Sequence, residues 1–195
     1  MKRVILVRHG QTTMNLQKLY YGFLDPDMTE LGKEQVLKAR KILEKMNYDE
    51  IISSDLKRAY ETAKIINFKN LEIKVFSEIR ELNFGIFEGL TYEEIKEKYP
   101  EELQKSIDDW KNYSFITGEN PYDLQNRVVK FIDELEDNKT YLLATHWGVI
   151  CTLLSYHFSN GLDSYWKYKI DNGSITIIEF REKYPLLCQL NLKGD

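Results

Sequence analysis

The chain reads as an α/β protein, on three features. Short runs rich in β-branched residues alternate with stripes of apolar residues at helical spacing, which sets up a βαβα rhythm. Two of the runs stop at a polar motif, Arg8-His9-Gly10 and Thr145-His146-Trp147-Gly148, and strand ends of this kind are where open α/β sheets place their sites. The length of 195 residues, 43% of them hydrophobic and 30% charged, suits one globular domain over residues 1–195 with a substantial core.

In chain order, Arg3 to Val7 is the first strand. From Thr29 onward Val36, Ala39, Leu43 and Met46 recur at helical spacing, with Lys33, Glu34, Lys41 and Glu44 on the opposite face, so this helix should pack on the sheet. Glu50 to Ser53 is the second strand, and Asp55 is the expected N-cap of a helix with the stripe Leu56, Ala59, Ala63 and Ile66. Ile73 to Phe76 is the third strand. Thr91 with Glu94 three residues on is a capping box, opening a short helix that must end near Pro100. The middle of the chain otherwise reads as mixed and loop-rich. Asn120-Pro121 supplies the cap and first turn of a helix carrying Leu124, Val128, Phe131, Ile132 and Leu135. Thr140 to Ala144 is the next strand, followed by an apolar helix through Val149, Ile150, Leu153 and Leu154. Ser174 to Phe180 and Leu186 to Leu192 are the final strands.

A formal net charge of -4 gives no invitation to nucleic acid or to an anionic membrane, so any positive potential must be local. No apolar run approaches a membrane span and no signal-peptide core follows Met1-Lys2-Arg3, which makes a cytoplasmic location the expectation. Cys151 and Cys188 lie in apolar stretches without metal-ligand spacing and read as buried free thiols. The third histidine, His157, reads as structural or surface.

Four short stretches combine charge, glycine and histidine at element ends. They are Arg8-His9-Gly10-Gln11-Thr12, Ser53-Ser54-Asp55-Leu56-Lys57-Arg58, Arg80-Glu81-Leu82-Asn83-Phe84-Gly85 and His146-Trp147-Gly148. In this order and at these separations they resemble the histidine phosphatase superfamily, in the branch that also holds the cofactor-dependent phosphoglycerate mutases. The match runs from about Val4 to about Ile150. It implies a phosphoglycerate mutase-like fold, a three-layer α/β/α sandwich with a mostly parallel central sheet.

Phosphoryl transfer needs fixed donors around oxygens that gather negative charge, an in-line nucleophile, and a proton source for the leaving oxygen. The resemblance makes His9 the nucleophile, and a neutral imidazole can form the phosphohistidine that water later opens. Arg8 and Arg58 would present planar, permanently charged forks to the phosphate. His146 is implied as a further donor, protonated when an anion lies beside it. Glu81 is the implied general acid, giving a proton to the leaving oxygen and then taking one from the attacking water. Asn15 and Gly22 match the family's phosphate and substrate contacts, with Gln11 or Thr12 as possible helpers. The family often has glycine directly after the second histidine; here Trp147 stands there and is assigned to the pocket wall. Arg80 is expected in a salt bridge, Lys57 in solvent, Glu88 in a structural role, and Glu119 in ordering a lid or a helix start. With two arginines and two histidines supplying positive charge, no metal and no cofactor are expected.

The substrate implied is a small phosphorylated metabolite. A narrower resemblance, carried by Arg80 to Gly85, Phe87-Glu88-Gly89, the Trp110 segment, Trp166-Lys167-Tyr168 and Asn172-Gly173, is to α-ribazole phosphatases of cobalamin assembly. A bulky aromatic base would suit a mouth lined by Tyr20, Tyr21, Phe84, Phe87 or Trp147. A broad-specificity phosphatase and a phosphoglycerate mutase are the alternatives, the mutase disfavoured by the modest segment between Gly89 and His146. An inactive phospholigand-binding member is the remote one. The resemblance also allows a homodimer.

Overall fold

The computed structural model describes residues 1–182 and 184–194. Its strands are β1 (Lys2–Arg8), β2 (Glu50–Ser54), β3 (Ile73–Phe76), β4 (Thr140–Thr145), β5 (Ile175–Arg181) and β6 (Tyr184–Leu192). They form one six-stranded sheet in the order β3-β2-β4-β1-β5-β6. The first four are mutually parallel, and β5 and β6 close one side antiparallel.

The layers follow from strand periodicity. In β1, Val4 and Leu6 point to one face and Ile5 and Val7 to the other, and all four are buried. Helices α6 (Pro121–Glu134) and α7 (Trp147–Phe158) cover the first face through Leu124, Val128, Ile132, Val149, Ile150 and Leu153. Helices α2 (Glu30–Leu43) and α3 (Lys57–Ile66) cover the second through Val36, Ala39, Leu43, Ala63 and Ile66. A strand buried on both faces must be apolar throughout, which is why Val4 to Val7 shows no alternation. The chain is thus an α/β/α sandwich with a mostly parallel sheet, as the resemblance implied.

The caps read from sequence at Thr91 and Asn120 are present, and Thr29 caps α2 in the same way, each hydroxyl or amide oxygen accepting a backbone N–H of the first turn. Three readings need correction. Asp55 does not cap α3; Leu56 occupies that position without a side-chain bond, and Asp55 instead holds Arg80 in an ion pair. The loop-rich middle contains a further helix, α5 (Pro100–Asp108), because Pro100 both ends α4 (Tyr92–Lys98) and begins α5 as its first residue. Cys188 is exposed, since β6 is an edge strand with mostly outward-facing residues, while Cys151 is buried in α7 as expected.

A third apolar cluster lies outside the sandwich. Phe87, Ile95 and Leu103 form its centre, with Tyr20, Phe84, Tyr99 and Phe115 packed around it. It stands as a cap over the C-terminal ends of the parallel strands.

Candidate active site

The sheet register creates the site. Arg8, the last residue of β1, pairs with Thr145, the last of β4, and the His9 N–H donates to the Thr145 carbonyl at 2.9 Å. The two strands therefore deliver His9 and His146 side by side, with ring centroids 5.3 Å apart. The exit of β2 supplies Arg58 in the first turn of α3, and the loop after β3 supplies Glu81. A cavity of about 340 Å³ is lined by Arg8, His9, Asn15, Arg58, Glu81 and Trp147, with Lys18, Tyr20, Tyr21, Phe84 and Trp166 among the residues of its mouth.

His9 is buried, and its Nδ1 lies 2.8 Å from the Gly10 carbonyl. A carbonyl only accepts, so Nδ1 carries the proton and Nε2 keeps its lone pair. Burial first, then the charges of Arg58 and Arg8, hold the His9 pKa well below the ordinary histidine value. The ring is a neutral imidazole with one free basic nitrogen, the form a nucleophile needs.

His146 is fully buried behind His9 and does not itself line the cavity. Neither of its ring nitrogens has a hydrogen-bond partner. Burial, then Arg58 and His9, push its pKa well down as well. An anion placed against this pair reverses the electrostatic part of both shifts, so protonation of His146 is coupled to anion binding.

Both guanidiniums are held from behind. Arg8 Nη1 donates to the Ile170 carbonyl at 2.6 Å. Arg58 donates to the carbonyls of Leu24 at 2.8 Å and Gly22 at 2.7 Å, touches Asp25 at 3.4 Å, and lies over the Tyr21 ring. The Nε of each is buried without a partner. These two nitrogens and both ring nitrogens of His146 are thus unsatisfied, each at a cost of about 1–3 kcal/mol. Arg8 and Arg58 line the same cavity as His9 and give it fixed positive charge.

Glu81 is buried on the opposite wall; its two oxygens accept from the N–H groups of Leu82 at 2.8 Å and Gly148 at 3.0 Å. Gly148 leaves room for that carboxylate. A Cβ at this position would lie 2.1 Å from Glu81 Oε1 and 2.9 Å from the Tyr165 hydroxyl.

Asn15 lines the cavity, but its Oδ1 is occupied by Thr12 and Asn172. Thr12 is spent in a capping box with Asn15 at the start of the short helix α1 (Thr13–Gln17) and on the Tyr21 hydroxyl, and Gln11 on Thr29. Gly22 does not line the cavity. Its carbonyl receives Arg58, its N–H donates to Glu88 at 3.1 Å, and a Cβ would sit 1.6 Å from the Leu82 carbonyl oxygen, so its place is in the scaffold behind Arg58. Glu88 is structural in a specific way: it accepts the N–H groups of Gly22, Phe23, Leu24 and Phe84, fixing the loop whose carbonyls hold Arg58. Glu119 bonds the Asn83 N–H and pairs with Arg127. Lys57 is half exposed and pairs with Asp27. His157 packs edge-on against Phe180, away from the cavity.

Trp147 lines the cavity, edge-on to Tyr165 and tilted against Trp166 at centroid distances of 5.1 and 5.3 Å. Phe87 is core of the cap and faces a second cavity of about 280 Å³ instead of the mouth. Tyr20, Phe84 and Trp166 line both cavities, and no charged side chain lines the second. Sequence reasoning missed Trp166 in the mouth, Lys18 beside it, Gly148 and Arg127. Only Gly148 carried a signal, as the glycine after the expected one.

The family model described as histidine phosphatase superfamily (branch 1) matches residues 4–193. The chain belongs to that superfamily. With its phosphatase relatives, this membership supports a phosphatase, a hydrolase of phosphate esters. It is 34% identical over 98% of its length to phosphoserine phosphatase 1 of Hydrogenobacter thermophilus, covering 93% of that protein. It is 27% identical over 98% of its length to adenosylcobalamin/alpha-ribazole phosphatase of Escherichia coli, covering 97% of it. The crystal structure of the alpha-ribazole phosphatase from Shigella flexneri superposes with a TM-score of 0.90 at 27% identity, over 97% of this chain and 96% of that one. Among the described residues of this histidine phosphatase, no helix is long and apolar enough to cross a membrane.

Proposed function

We propose that the protein hydrolyses a small phosphate monoester through a phosphohistidine on His9, and that its substrate is α-ribazole 5′-phosphate. The reaction reading rests on the neutral His9, with its free Nε2, lining one cavity with two permanently charged arginines. His9 Nε2 attacks phosphorus as the bond to the ester oxygen breaks, and Glu81 delivers its proton to that oxygen. Water then attacks the phosphohistidine, Glu81 takes the water proton, and His9 leaves as a neutral imidazole. Arg8 and Arg58 carry the charge on the equatorial oxygens, and His146, protonated when the anion binds, adds its charge from behind His9. No metal enters either step.

The substrate reading rests on the mouth. Tyr20, Phe84, Trp147 and Trp166 offer flat apolar surface, and the adjoining uncharged cavity extends it, which suits the benzimidazole of α-ribazole better than the ammonium and carboxylate of an amino acid. Phosphoserine is the second reading, favoured by the 34% identical relative and by Lys18, a further cation in the mouth that a carboxylate could meet. The protein acts alone or as a homodimer on a free metabolite in the cytoplasm, on this reading.

Phosphate release in EDTA from α-ribazole 5′-phosphate, phosphoserine, 3-phosphoglycerate and nitrophenyl phosphate separates the readings. A kcat/KM for the ribazole ester about a hundredfold above the others, roughly 3 kcal/mol of transition-state preference, is the expected result. Preference for phosphoserine moves the assignment to the second reading, equal modest rates leave a broad phosphatase, and isomerised 3-phosphoglycerate without release makes it a mutase.

A further inference from the structure

Arg127, on α6, lies outside the catalytic cavity, yet every N–H of its guanidinium is used. Nε and Nη2 grip the Glu119 carboxylate at 3.1 and 2.6 Å. The remaining Nη2 bond goes to the Glu81 carbonyl at 2.9 Å, and Nη1 donates to the carbonyls of Glu78 at 2.7 Å and Arg80 at 2.8 Å. Glu119 completes the grip, its Oε1 accepting the Asn83 N–H at 3.0 Å while its own N–H donates to the Asn83 carbonyl at 3.1 Å. One ion pair thus holds the backbone on both sides of Glu81.

The segment needs holding. After the short turn at Ser77–Ile79 the chain has no helix or strand until the next single turn at Gly85–Phe87, so residues 80–84 have no ladder to fix them. The Glu81 carboxylate must nevertheless meet a fixed point across the cavity, and its two bonds, to Leu82 and Gly148, involve only the side chain. Arg127 and Glu119 are 21% and 17% exposed at the side chain, well short of the solvent access that makes a surface pair nearly worthless.

We propose that Arg127, with Glu119 as its partner, is a positioning residue for proton transfer: it fixes the backbone of Glu78 to Asn83 so that the Glu81 carboxyl stands where the leaving oxygen forms. The inference rests on the reading of Glu81 as general acid. A lysine cannot substitute, because a single ammonium offers three donors from one point where the planar fork places five. A displacement of about 1 Å at a catalytic group costs on the order of a hundredfold in rate, so loss of the clamp should show in chemistry more than in binding.

The test compares Arg127→Lys, Glu119→Gln, Glu81→Gln and the Arg127→Lys/Glu81→Gln double variant on an alkyl phosphate, whose leaving oxygen needs a proton, and on nitrophenyl phosphate, whose leaving oxygen does not. Arg127→Lys is expected to lower kcat/KM, which reports the transfer to His9, at least about tenfold more for the alkyl ester than for the nitrophenyl ester, and to add nothing to that ratio in the double variant. Equal losses on both esters, or losses that multiply with Glu81→Gln, would mean a merely structural role and overturn the proposal. If Glu81→Gln shows the leaving-group effect and Arg127→Lys does not, the clamp falls and the acid stands. If Glu81→Gln shows none, both fall. Should Arg127→Lys fail to fold, Glu119→Gln carries the same comparison, because it leaves Arg127 its three carbonyl bonds while weakening the hold at Asn83.

Discussion

Replacing Gly148 by alanine tests the geometry of the acid with one methyl group. The added Cβ would lie 2.1 Å from Glu81 Oε1, 3.1 Å from its carboxyl carbon and 2.9 Å from the Tyr165 hydroxyl. The Glu81 carboxylate is the end of a flexible side chain and can swing away, whereas Tyr165 is buried and wedged among Trp147, Trp110 and Trp166. Overpacking typically costs about 1–3 kcal/mol, and the freedom of the carboxylate places this variant near the lower end. The catalytic cost is larger. A displaced Glu81 loses the Gly148 N–H bond and its aim, and a general acid contributes about 10²–10⁴-fold. Gly148→Ala should therefore lower kcat/KM, which reports the transfer to His9, by about a hundredfold or more for an alkyl phosphate, spare most of it for nitrophenyl phosphate, and unfold in urea within about 1 kcal/mol of the parent. Steady-state kinetics on the two esters with a urea titration would show it. Wild-type turnover of the alkyl ester by a folded Gly148→Ala protein would refute the placement of Glu81 as acid.

Stability should fall with pH in a window set by the histidines. His9 and His146 have folded pKa values below the ordinary one, so below about pH 6.5 the unfolded chain takes up protons that the folded chain refuses; their contribution is intact above that pH and lost as pH falls toward the folded values. Two such groups give a slope of up to about 2.7 kcal/mol per pH unit, and His9→Asn should reduce it, measured by urea unfolding between pH 5 and 8. Inorganic phosphate or vanadate should raise Tm by binding beside the charged Arg8 and Arg58 that line the cavity, and Arg58→Ala should abolish most of that rise in a thermal-shift titration. Glu88→Gln removes an acceptor from the loop at Gly22 to Leu24 and should cost about 2 kcal/mol of stability, with a higher KM as Arg58 loses its fixed carbonyls.

The sequence by itself determined the sandwich and the core of the site, because both rest on local signals. The apolar run Val4 to Val7, the helical stripes at Val36 to Leu43 and Leu124 to Ile132, and the caps at Thr91 and Asn120 are each written within a few residues, and all are present. The four motifs lie at strand exits, so a parallel sheet brings His9, Arg58, Glu81 and His146 to one end. Tertiary structure alone decided what each polar residue is spent on. Asp55 could cap a helix or pair with an arginine, and the approach of Arg80 chose the pair. Gly22 could have faced phosphate, but Glu88, far along the chain, and Arg58 claim both of its backbone groups. Arg127 sits among the apolar residues of α6 and looks like its solvated edge, until the fold lays an unladdered loop across it. Hydrogen bonds between distant segments leave no period in a sequence; only the packing that brings donor and acceptor together reveals them.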